Sequence, residues 1–249
     1  MKKGQTSKRG GYQDLLCPFT TVYVTQWSNV GTHKGSKAYD VRGAKSGVRY
    51  PYYAPCDVKC VATIPNYGEA IWQSVNKVRF ANGKIDYYTF TTVHDNSFDV
   101  KAGSKIYKQG TQIGNMGDKP KNICSGVHCH IEGCYGKTNK LTKNKYGVYI
   151  LKSYSEEVLP RDTFFMDNTV IEKWFKPRYL KDIKIATYKK TIADLNMRNK
   201  PSLSGKIILT IPKNTKVEYL DNAGISNGYT WSKIKYNGKT GYVASKFLS

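Results

Sequence analysis

The chain has 249 residues, 39% of them hydrophobic and 13% aromatic, which is enough apolar side chain to build a core and excludes a globally disordered protein. Lys and Arg number 40 against 18 Asp and Glu, a net charge of +22 that draws anionic partners: nucleic acid, anionic lipid or an acidic wall polymer. No stretch approaches the ~20 apolar residues of a membrane-spanning helix.

The basic start, Met1–Gly10, is followed by no apolar run. No secretory signal is therefore expected, and these residues read as a frayed, solvated tail. From Leu16 to Tyr135 the pattern is all β, without a convincing amphipathic helix. Phe19–Trp27 is β-branched and aromatic, as strands are. A loop over Ser28–Gly35 carries His33, and Ala38–Gly43 is a short strand carrying Asp40. Lys59–Ile64 and Ala70–Val75 are further strands. Asn82-Gly83 marks a hairpin between Lys77–Phe80 and Ile85–His94. Lys105–Gly114 follows, and then a polar loop leads into Gly126–Glu132.

On a strand, His128 and His130 share one face and Cys129 points to the other, into the core. The two histidines are about 7 Å apart at Cα. One imidazole can then ligate a metal while the other reaches the water bound to it. By the same alternation Glu132 shares the face of His130 and reads as a supporting or surface carboxylate without a catalytic role. No His-Glu-x-x-His occurs, which excludes a glutamate base in that arrangement. The chain holds 4 histidines, none in its C-terminal third. Of its 6 cysteines (17, 56, 60, 124, 129 and 134), none has the spacing of a zinc knuckle, and buried free thiols are expected.

From about Lys137 to Lys184 the pattern breaks down into mixed aromatics and charge, including Trp174 and Phe175. This is read as a connector that partly packs on one domain. Beyond Ile185 short strands return, with Asn237-Gly238 a strong hairpin signal. Residues 185–249 carry 11 Lys and Arg against 3 Asp and Glu, a net charge of +8.

The ordered motifs of the first half resemble the LytM/lysostaphin-type zinc endopeptidases, which cut peptide bonds in bacterial peptidoglycan. They are His33-Lys34-Gly35 with Asp40, Ala54–Val61, His94 at a strand end, Val100–Gly114, and Gly126–Glu132. The resemblance implies that His33, Asp40 and His130 ligate zinc, with His94 and His128 flanking the reacting water. Three N/O ligands and one open position are the pattern of a catalytic zinc site. One departure stands out: the family places the Asp four residues after the first His, whereas here the gap is seven, so a wider loop is needed. The C-terminal segment, with Leu195-Asn196-x-Arg198-x-x-Pro201 and Trp231-x-Lys233-Ile234-x-Tyr236-Asn237-Gly238, resembles bacterial SH3-type cell-wall-targeting domains.

These resemblances imply a mainly β chain. A zinc peptidase of antiparallel sheet is expected at 1–145, a connector at 146–184 and an SH3-like barrel at 185–249. The implied partner is peptidoglycan, with anionic wall polymers drawn by the charge. Nucleic acid is suggested by charge alone and by no motif. The protein is expected to be a monomer, made in the host cytoplasm and acting at the wall after release, as a phage endolysin does. A catalytically inactive wall-binding or regulatory module, and a zinc amidase or carboxypeptidase on the same substrate, are the alternatives.

Overall fold

The structure is a computed structural model and describes residues 1–249 apart from 98, 146, 148, 153–155 and 184. It divides into two units, Met1–Ile183 and Lys184–Ser249, and is mainly β in both. Among the described residues no helix is long and apolar enough to cross a membrane.

The first unit is built on an eight-stranded sheet. Its order is Ile106–Tyr107, Val58–Ile64, Glu69–Ser74, Tyr88–Val93, Cys129–Tyr135, Tyr39–Arg42, Thr21–Gln26 and Val170–Lys173. All neighbours are antiparallel except the last pair. The two central strands, Tyr88–Val93 and Cys129–Tyr135, are buried almost throughout. Apolar and β-branched side chains suit such positions, and the core includes Val22, Val24, Val41, Trp72, Phe90 and Ile131. Cys129 is fully buried, as strand alternation predicts.

Strand register brings the histidines to one end of this sheet. Val93 pairs with His130, and His130 pairs with Asp40. His94 directly follows Val93, so three neighbouring strands deliver His94, His130 and Asp40 side by side.

Two expectations are corrected here. The N-terminal residues are not a frayed tail: Met1 is buried, and Lys8–Arg9 pairs with Tyr12–Asp14. Asp14 is fully buried and accepts from Arg9 and Arg79, so the segment is held by a desolvated ion pair. The stretch expected to be a connector also belongs to the first unit. Leu151, Val158, Phe164, Phe165 and Met166 are buried, Val170–Lys173 extends the main sheet, and Trp174 packs edge-on against Tyr39 at 5.3 Å. Positions 146, 148, 153–155 and 184 of that stretch lie outside the described residues.

The second unit is a six-stranded antiparallel sheet over Leu195, Met197, Ile211, Val217, Ile234 and Val243. Its tight turn at Asn237-Gly238 has positive φ at both residues (46° and 73°), the conformation that matches strand twist. Trp231 is 1% exposed, and its Nε1–H donates to the Ser226 carbonyl at 3.0 Å, so it is a core residue with its polar atom satisfied.

Candidate metal centre

His33 closes a short 3-10 turn, Gly31–His33, within a loop pinned by backbone bonds from Asn29 N to Ser36 O and from Ser36 N to His33 O. This loop absorbs the seven-residue gap. Asp40 lies on the strand beside His130, so its place is fixed by register and not by its distance from His33 along the chain.

Three atoms converge. His33 Nε2 lies 3.1 Å from Asp40 Oδ1 and 3.1 Å from His130 Nδ1, and His130 Nδ1 lies 3.0 Å from Asp40 Oδ1. His33 Nδ1–H donates to the Trp27 carbonyl at 3.2 Å, and a carbonyl can only accept, so Nε2 carries a lone pair. The outer nitrogen of His130, Nε2, faces Glu132 Oε2 at 4.0 Å. Three electron-rich atoms so close repel one another unless a proton or cation sits among them. Ligands bonded to zinc at about 2.0–2.2 Å in a tetrahedron stand roughly 3.3–3.6 Å apart, so the observed triangle fits such an ion with little adjustment. The donor set, two imidazoles and a carboxylate, is also one that zinc accepts.

The other two histidines face the same space. His128 Nδ1–H donates to the Gly126 carbonyl at 2.7 Å, and its Nε2 lies 3.5 Å from Asp40 Oδ1. His94 Nδ1–H donates to the Lys119 carbonyl at 2.7 Å, and its ring centroid is 4.5 Å from that of His128. Both rings thus present Nε2 lone pairs. His94 sits at φ 85°, a conformation that costs a non-glycine residue energy and persists only where its surroundings enforce it. They do so here: His94 N donates to the Tyr67 carbonyl at 3.0 Å, and the His94 carbonyl accepts from Lys119 N at 3.3 Å.

Burial opposes ionisation of Asp40, but its contacts with the His130 and His33 rings outweigh it and hold the carboxyl well below the usual range. Desolvation, then repulsion from His128, pulls His94 down to about 4, and desolvation lowers His130 as well. At neutral pH these two rings are uncharged and hold free lone pairs.

All five residues that the motifs single out, His33, Asp40, His94, His128 and His130, come together. Two others, Glu157 and Cys124, were not foreseen at this site, and of the two readings of Glu132 the supporting one holds. Glu132 is fully buried and not on the surface; it shares a hydroxyl with Glu157, for Ser36 Oγ donates to Glu132 Oε2 at 2.7 Å and lies 3.3 Å from Glu157 Oε2. Glu157 comes from the stretch read as a connector, where no motif marks it. Five of the cysteines are buried as expected, but Cys124 is half-exposed and stands beside His94 and His128. Burial, with the charges of Asp40 and Asp118, pushes its thiol up to about 12, so it is not the thiolate that a cysteine nucleophile requires.

Fold and site define a mainly β chain of two units, with a histidine–carboxylate cluster in the first. The second unit is a bacterial SH3 domain: residues 193–249 match that family. The chain is also similar to Morphogenesis protein 1 of Bacillus phage B103, at 32% identity over 151 residues, which make up 60% of this chain and 37% of that protein. It therefore spans little more than a third of that relative's length. Among solved structures it is similar to lysostaphin in solution, at 16% identity over 89% of this chain and 86% of that one, with a TM-score of 0.39. It is likewise similar to the antimicrobial peptidase lysostaphin from Staphylococcus simulans, at 14% identity over 89% and 85%, with a TM-score of 0.33.

Proposed function

We propose that this chain is a zinc-dependent endopeptidase that hydrolyses peptide bonds in bacterial peptidoglycan and is held on the wall by its SH3 domain. The observation that carries the reading is the triangle of His33 Nε2, Asp40 Oδ1 and His130 Nδ1, with two further imidazoles facing it. These three residues would hold the ion. Zinc bound there supplies a Lewis acid for the scissile carbonyl and makes water a nucleophile at neutral pH.

The remaining chemistry belongs to the protein. His128, locked by the Gly126 carbonyl, takes a proton from the attacking water at Nε2 and returns it to the leaving amine. His94, kept neutral by burial, turns a second lone pair towards the same space and orients the water. Its strained backbone is the fixed support that this positioning needs. In the second unit the excess of basic residues favours anionic wall polymers, and tethering raises the local concentration of peptide bonds. Action in the lysis of a bacterial host, as a phage endolysin, fits the similarity to a phage protein.

Digestion of purified walls, with mass spectrometry of the newly exposed amino groups, tests the reading and identifies the bond. The wild-type protein is expected to release a peptide amine. His130→Ala is expected to bind walls without cutting them; cutting by this variant would overturn the assignment.

A further inference from the structure

A second group of ligand atoms lies next to the first. The Cys124 thiol and one ring nitrogen each from His94 and His128 lie within 4.8 Å of one another. The Nδ1 atoms of both rings are engaged by carbonyls, so the nitrogens on offer are the Nε2 atoms. Those carbonyls belong to Lys119 and Gly126, the two ends of the loop that carries Cys124. One loop thus supplies the sulfur and orients both imidazoles, the outer support expected around a metal site.

We propose that His94, Cys124 and His128 form a second metal site, for a soft divalent cation such as zinc, and that its occupation switches the peptidase off. A thiol and two imidazoles are donors such ions favour. Tetrahedral bonds of about 2.0–2.3 Å place such ligands roughly 3.3–3.8 Å apart, so closing the group needs about 1 Å of movement from a half-exposed loop residue. The first triangle, already at 3.0–3.1 Å and more deeply buried, fills first. Asp40 Oδ1 lies 3.5 Å from His128 Nε2, so the second ion would sit beside the first. Binding exchanges the thiol proton for the ion, the proton leaving to solvent. It also ties up both Nε2 lone pairs. The inhibition rests on the proton-transfer role proposed above for His128; the binding does not.

Cobalt(II) titration of the chelator-stripped full chain separates the two claims. Thiolate-to-cobalt charge-transfer absorption is expected only with the second equivalent, absent from Cys124→Ser and retained by His33→Ala, which loses the first site. In the wild type, no absorption at any loading, or an unchanged band in Cys124→Ser, overturns the site; absorption with the first equivalent overturns the order of filling. In wall digestion, a second equivalent of zinc is expected to slow the wild type about 100-fold relative to its own rate with one equivalent, and to leave Cys124→Ser near its own rate. Equal slowing of both overturns the switch. If no preparation cuts walls, the peptidase reading fails while the cobalt spectrum still decides the site.

Discussion

Replacing Glu157 with Gln tests the electrostatics beneath the metal centre. Glu157 is 3% exposed, and burial raises its carboxyl from an ordinary 4.5 to about 7, against the opposing bonds from Lys37 N and Ser36. Glu132, fully buried, is raised well above the carboxylate range by burial and then by the charge of Glu157. Below about pH 4.5 Glu157 is protonated in both folded and unfolded chains and costs nothing. Between about 4.5 and 7 the unfolded chain ionises while the folded one holds its proton, so stability falls as pH rises. Above about 7 the loss levels off at about 3 kcal/mol, the gap between 4.5 and about 7 at about 1.36 kcal/mol per tenfold change in acidity. A Gln side chain keeps an acceptor for Lys37 N and has no charge to bury. In urea unfolding of chelator-treated protein, Glu157→Gln is therefore expected to match the wild type at about pH 4.5 and to exceed it by up to about 3 kcal/mol near pH 8.5. A difference that does not grow with pH would refute the reasoning.

His128→Ala leaves the triangle of His33, Asp40 and His130 intact. It is expected to retain one zinc by metal analysis while wall digestion slows roughly 100- to 10,000-fold. Gly117→Ala drives a methyl group into the His94 carbonyl and the Asn96 side chain. Thermal melting is expected to show a loss of roughly 1–3 kcal/mol, with wall digestion falling as His94 moves. Trp231→Ala empties the core of the SH3 domain at about 3–5 kcal/mol. Pull-down on purified walls is expected to lose binding, with zinc content unchanged.

The centre was legible mainly because its ordered motifs resemble those of a known family, and local signals agree with them. His128 and His130 alternate on a strand, His94 ends one, and Asn82-Gly83 marks the hairpin that precedes His94. The long gap to Asp40 was the weak point, and strand register resolves it: Asp40 needs only to pair with His130. Cys124 was not legible, because its polar loop has no periodicity and its neighbours are fixed by carbonyls from Lys119 and Gly126 that sequence cannot show. Glu157 and the N-terminal strand escaped for a related reason. Their partners, Ser36 and Glu132 for one and Arg79 for the other, are distant in sequence. Mixed aromatic and charged stretches look like linkers until the sheet they extend is known.

Zinc content after exhaustive dialysis bears most directly on the central claim. The wild-type chain is predicted to keep one tightly held zinc, and Asp40→Ala, which removes one corner of the triangle, to keep none. A wild type without zinc, or an Asp40→Ala protein with its full complement, would contradict the account.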